Sequence, residues 1–128
     1  MKTSVVLTCL LGLAVVPAAQ ATDLSGCWSG CWQDCKSGHH GPLKATFCKC
    51  DDAHYRVTFS GRFFAVIPFR YSVVLTVTGQ DGDKVLLSGE SNLGLLFGTF
   101  TYHAEATASE FTAHFSSRRY EGRFDLKR

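Results

Sequence analysis

From His54 to the C-terminus, apolar and polar side chains alternate with a period of two, and that pattern leaves few folds open. Tyr55, Val57 and Phe59 alternate with Arg56, Thr58 and Ser60, and Phe69, Tyr71, Val73, Leu75 and Val77 alternate with Arg70, Ser72, Thr76 and Thr78. Successive side chains of an extended strand point to opposite faces, so each run predicts a strand with one oily and one wet face. Gln80-Asp81-Gly82-Asp83 supplies an Asp-Gly step suited to a tight hairpin turn, after which Val85 and Leu87 open the return strand. Three further runs follow: Leu96, Gly98, Phe100, Tyr102 and Ala104; then Phe111, Ala113 and Phe115; then Phe124 and Leu126. Helical periodicity is nearly absent.

With a cysteine-rich pair of strands ahead of these runs, about eight strands joined by short connections are expected. A meander of that kind predicts an all-β, single small antiparallel up-and-down β-barrel, because closure removes the unpaired edges that an open sheet would leave. The alternative is a two-sheet β-sandwich, whose crossings need at least one longer connection; only 36–43 and 62–68 offer one.

The N-terminus bears on the compartment. Met1 and Lys2 precede an apolar run from Val5 to Val16, and Pro17-Ala18-Ala19-Gln20-Ala21 supplies small residues before a cut. Residues 1–21 therefore read as a signal peptide cleaved after Ala21, and 22–128 as one domain that is secreted or periplasmic. The apolar run is too short to cross a bilayer as a helix, and no later stretch approaches the length needed, so no membrane span is expected.

Five cysteines crowd the front of that domain: Cys27, Cys31, Cys35, Cys48 and Cys50. In an oxidising compartment such thiols tend to pair. A turn around Gly38-His39-His40-Gly41-Pro42 would bring Cys48 near Cys31 and Cys50 near Cys27, leaving Cys35 free or able to link two chains as a dimer. The competing reading is a metal site built with His39 and His40, but the C-x3-C-x3-C and C-x-C spacings differ from the paired C-x2-C of structural zinc sites. No metal or other cofactor is expected.

Gly26-Cys27-Trp28 at the start of the domain, followed by a strand meander, resembles the lipocalin and avidin-like (calycin-type) barrels. The resemblance implies that Trp28 packs across one end of a barrel and that an arginine near the last strand, Arg123, covers it. The chain departs from both families, with no Thr-Asp-Tyr segment of the lipocalin kind and no late tryptophans of the kind that line an avidin biotin site. Over its whole length it also resembles small exported bacterial proteins, a likeness that brings no activity with it.

The charge is close to balanced, +2 at neutral pH, which speaks against nucleic acid as a partner. Asp51-Asp52 and Asp81-x-Asp83 read as turn residues, not as an acid and a base set across a cleft, and no nucleophile elbow or phosphate-cradling loop is present, so no catalysis is expected. His103 and His114 alternate out of phase with the aromatic face and should point outward; with the opposite phase, either could ligate a haem. Ten phenylalanines and four tyrosines are a heavy aromatic load. Tyr55, Phe59, Phe69, Tyr71, Phe100, Tyr102, Phe111, Phe115 and Phe124 are expected to face inward and could nearly fill a narrow barrel. Within Arg62-Phe63-Phe64-Ala65-Val66-Ile67-Pro68 the alternation breaks, and consecutive apolar residues of that kind suit an apolar lip or ligand mouth. Phe63, Phe64, Ile67 and Phe69 are the candidate contacts to a small apolar ligand. The sequence thus predicts a secreted, non-catalytic binding module. Its alternatives are a disulfide-stapled structural or protein-interaction module and a metal- or haem-binding protein.

Overall fold

A computed structural model describes residues 22–64, 66–95 and 97–128. The signal segment 1–21 with its cut after Ala21, together with Ala65 and Leu96, lies outside the described residues. Eight strands follow one another: β1 (Gly26–Asp34), β2 (His40–Asp51), β3 (His54–Phe63), β4 (Ile67–Asp81), β5 (Lys84–Asn92), β6 (Thr99–Ala106), β7 (Glu110–Ser116) and β8 (Glu121–Lys127). Each pairs antiparallel with its neighbours in sequence, and β8 returns to pair with β1, so the sheet is a closed up-and-down barrel and not a sandwich. None of the described residues is helical.

The alternation sets which face is buried. Tyr55, Val57 and Phe59 on β3, Tyr102, Ala104 and Ala106 on β6, Phe111, Ala113 and Phe115 on β7, and Phe124 and Leu126 on β8 are all buried, while Phe69 and Tyr71 are half-buried against the same core. His103 and His114 face each other across β6 and β7 on the exposed outer surface, as their phase requires. The Asp81–Lys84 hairpin turns through Gly82 at φ +65°, a conformation that costs glycine little.

Closure depends on close backbone contact. Ser29 to Asp34 pair with Lys127 to Gly122, and a side-chain carbon built on Gly30 would collide with the Asp125 carbonyl, one on Gly122 with the Gln33 carbonyl. Only glycine lets the first and last strands meet at these inward positions.

The two ends of the barrel differ. At one end the interior is filled: Trp28, Phe47 and Phe111 pack with ring centroids 5.2 to 6.3 Å apart, and Leu24, ahead of β1, is fully buried beside them. The Trp28 indole donates to the Leu24 carbonyl at 2.9 Å, and the Leu24 amide donates to the Tyr55 hydroxyl at 3.1 Å. A guanidinium lies 4.4 Å from the Trp28 ring centre, but it belongs to Arg128, not Arg123. Arg128 also donates to the carbonyls of Asp23, Ser25 and Ala108, tying the residues ahead of β1, the last residue and the β6–β7 loop together. Arg123 is opposite Gln33 on the outer face and pairs with Asp125 at 2.9 Å, since both its phase and its place on β8 keep it from Trp28.

The first hairpin also differs from expectation. Cys31 is opposite Pro42 and Cys27 opposite Thr46, so Cys48 lies level with the chain before β1, away from Cys31, and Cys50 lies beyond it, away from Cys27. The cause is an earlier turn. The Asp34 carboxylate accepts from the Lys36 amide at 3.1 Å and the Ser37 hydroxyl at 2.7 Å, while its carbonyl accepts from the Gly38 amide at 2.9 Å, with Gly38 at φ +78°. That network reverses the chain before His39, and β2 has begun by His40. All five cysteines are exposed on the outside of β1, the first turn and β2, and no bridge joins them.

Replacing Gly122 by alanine should lower the unfolding free energy by about 1–3 kcal/mol through overpacking against β1. Urea unfolding followed by circular dichroism measures it, and a smaller loss than that of an outer-face alanine variant such as Thr112→Ala would show that closure is not tight here.

Candidate functional site

Four connections gather at the other end of the barrel, 35–39, 64–66, 93–98 and 117–120, and there the interior is open. A cavity of about 570 Å³ runs inward from them. Its walls carry Trp32, Phe63, Phe69, Phe100 and Phe115, and its inner limit is formed by Tyr71 and Phe124, which touch Phe59 of the filled half at centroid distances of 5.6 and 4.9 Å. Nearly all the lining is aromatic or aliphatic.

Strand phase builds these walls. Trp32 is four residues beyond Trp28 on the inward face of β1, and its indole is fixed by a 3.1 Å hydrogen bond to the Arg62 carbonyl. Phe63 sits between Trp32 and Phe69, at 5.3 and 4.6 Å, and stacks on Phe97 at 6.1 Å with 12° between the planes. Tyr120, from the last connection, stacks on Phe100 at 6.0 Å and 13°. These tilted and offset arrangements are the ones aromatic quadrupoles favour, so the rings hold one another apart around an open space.

Phe63, Phe64, Ile67 and Phe69 all line this cavity. Phe64 stands at its rim with φ +52°, a left-handed conformation costing a bulky residue about 1–3 kcal/mol, and its ring meets His39 edge-on at 5.0 Å. His39 therefore belongs to the mouth as a ring, with no cluster of metal ligands around it: among the described residues no three Cys, His, Asp or Glu side chains converge on a point that could hold a metal ion.

Other wall residues were harder to see. Trp32 repeats the glycine-x-tryptophan pattern of Trp28, and a spacing of four puts the two on the same face of β1. Leu93, Phe97 and Tyr120 lie in connections, where no alternation marks them. The stretch through Gly98 reads as strand in the sequence but is loop: the Gly98 amide donates to the Gly94 carbonyl, the Leu93 amide donates to the Gly98 carbonyl, and both glycines have positive φ. The strand begins only at Thr99.

Polar groups are sparse and unevenly placed. At the inner end three hydroxyls form a chain, Ser91 to Tyr102 at 3.0 Å and Tyr102 to Tyr71 at 3.0 Å. Three hydroxyl hydrogens serve two links, so with Tyr102 donating to Tyr71, the Tyr71 hydrogen is left over at the residue that lines the cavity. Burial pushes the Tyr71 phenol well above the ordinary tyrosine range, with the neighbouring Tyr102 adding to the effect, and raises the Tyr102 phenol against the opposing hydrogen bonds with Ser91 and Tyr71. At the mouth, burial acts to raise the Asp34 carboxyl, but the hydrogen bonds from Ser37 and Lys36 outweigh it and hold the group below the usual carboxylate range.

No protein-family model, curated protein or solved structure matches this chain.

Raised phenol values mean that the folded protein holds these protons more tightly than the unfolded chain does. Their contribution to stability is full below about pH 10, the unperturbed value, and is lost as pH rises beyond it. Absorbance at the phenolate band should thus show Tyr71 and Tyr102 ionising only as the barrel unfolds in alkali; ionisation with the circular dichroism unchanged would contradict their burial.

Proposed function

We propose that this protein is an exported, non-catalytic binding module that takes one small, largely apolar, ring-bearing molecule into the open end of its barrel. The observation that carries the reading is the cavity itself, a volume within the range of small-molecule sites and lined by rings already braced against one another. A preformed apolar space of this kind gains affinity by removing ligand surface from water without first ordering the protein. Chemistry finds little to use there. The rim holds Asp34, fixed by its own turn, and Arg70, and the inner end holds neutral phenols. Export follows from the leader-like residues 1–21.

Tyr71 gives the site one polar preference. A ligand whose inner end bears a carbonyl or ether oxygen meets a free hydroxyl hydrogen that the surrounding rings keep from water, whereas a charged group there has no counter-ion.

Native mass spectrometry of protein purified from its source should show a single bound small organic molecule that is lost on denaturation. Bare protein from that source, together with no heat of binding for 2-ethylnaphthalene by titration calorimetry, would remove the proposal. A matched pair of probes tests the polar end. The protein should bind 2-acetylnaphthalene about three- to tenfold more tightly than 2-ethylnaphthalene, the range expected for one buried hydrogen bond, and Tyr71→Phe should erase that difference while still binding the hydrocarbon.

A further inference from the structure

Apolar side chains at the open end do not stop at the cavity wall. Leu95 is fully exposed at the tip of the 93–98 loop, and Val66 and Phe64, on the 64–66 connection, are 74% and 65% exposed. These residues project from two neighbouring loop tips at the rim of the opening, the β3–β4 and β5–β6 connections. Their exposure is built into the backbone. The paired glycine turns of the 93–98 loop hold Leu95 outward, and Phe64 keeps a strained left-handed conformation with its ring largely in solvent. Exposed apolar residues grouped like this mark a surface that meets another phase or partner.

The charge around them supplies the second observation. The other two connections at this end carry Lys36, Arg118 and Arg119, and Arg62 stands near the end of β3. Among the described residues none of these four is in an ion pair. Of the acids at this end, Asp34 is buried in its turn, Glu121 stands at the start of β8 and Glu90 lies two residues before the end of β5. At the far end Asp23, Asp51, Asp52, Asp81, Asp83, Glu105 and Glu110 outnumber Lys49, Lys84, Lys127 and Arg128, and Lys49 and Lys84 are paired with Asp52 and Glu105. The barrel is therefore polarised along its axis, with the cationic end also the oily one.

We infer that the open end docks onto an anionic lipid bilayer, with Leu95, Val66 and Phe64 dipping below the headgroups and the surrounding lysine and arginines meeting lipid phosphates. Apolar tips that project singly from a rim carrying unpaired cations suit a fluid anionic phase, which flows around them and neutralises the charge, better than a protein surface, which would need a matching relief. Cations near an anionic membrane add attraction that salt weakens, and apolar tips add attraction that salt leaves in place. Docked this way, the cavity mouth faces the lipid, where apolar molecules concentrate. The docking itself needs no ligand in the cavity.

Vesicle co-sedimentation tests it with the mature chain. Vesicles of equal phosphatidylcholine and phosphatidylglycerol should pellet the protein, phosphatidylcholine alone should pellet it at least tenfold less, and 0.5 M salt should weaken the first. Combining Leu95→Asp with Val66→Asp should abolish pelleting, as should Arg118→Glu with Arg119→Glu, while both variants keep the wild-type circular dichroism and bind 2-ethylnaphthalene in solution as before. Failure of the wild type to pellet with the anionic vesicles, or undiminished pelleting of either variant, would overturn the inference without touching the cavity reading. So would a wild type that is dimeric in solution and made monomeric by the apolar pair, since a second copy would then be what covers the tips.

Discussion

Pairing of the first strand with the last governs everything else in this molecule. An eight-strand meander that failed to close would expose two unpaired edges and leave its aromatic face half in water. Closure turns the same strands into a container, and it is permitted by the inward glycines Gly30 and Gly122, where the β1 and β8 backbones run too close for any side chain. It also decides which residues share the interior. Phe124 comes opposite Trp32, and Leu126 opposite Gly30, so the last strand supplies one ring to the cavity and aliphatic filling deeper in.

Interior composition then divides the barrel into two compartments. One end is occupied by Leu24, Trp28, Phe47 and Phe111 and sealed by Arg128, whose three backbone carbonyl partners and aromatic face fix it in place. In the other, rings contact rings around a space instead of filling it. The difference has a source in the inward positions near the open end, where glycines, at Gly41, Gly61 and Gly122, alternate with aromatic residues whose planes brace one another. The space left at these glycines is taken by the rings that lie over them, Trp32 over Gly41, Phe69 over Gly61 and Phe115 over Gly122, so those rings pack against the backbone of the wall. The Tyr71, Tyr102 and Ser91 hydroxyls stand near the boundary of the two compartments.

A two-residue period is strong evidence for which face a side chain takes and weak evidence for how far one strand slides along the next. The all-β class, the closed meander and the inward rings of β3, β4, β6, β7 and β8 were accordingly legible, as was the apolar lip around Phe63 to Phe69. The offset of the first hairpin was not. It depends on the Asp34 carboxylate gathering Lys36 and Ser37 into a turn, and nothing in the cysteine spacing announces that; a few residues of slippage separated Cys31 from Cys48. Arg128 was missed for a related reason: finding the cation above Trp28 needs the β1–β8 register. Loop residues such as Phe97 and Tyr120 carry no periodic signal, so their part in the cavity emerges only once the barrel brings the connections together.

The four-residue spacing of Trp28 and Trp32 along one face of β1 places one indole in each compartment. With no other tryptophan in the chain, the protein carries two built-in optical reporters on a single strand. Light emitted from Trp28 answers to the integrity of the sealed end, beneath its guanidinium, while light from Trp32 answers to whatever occupies the space beside it. Folding and occupancy can therefore be followed separately in the same molecule by silencing one indole at a time.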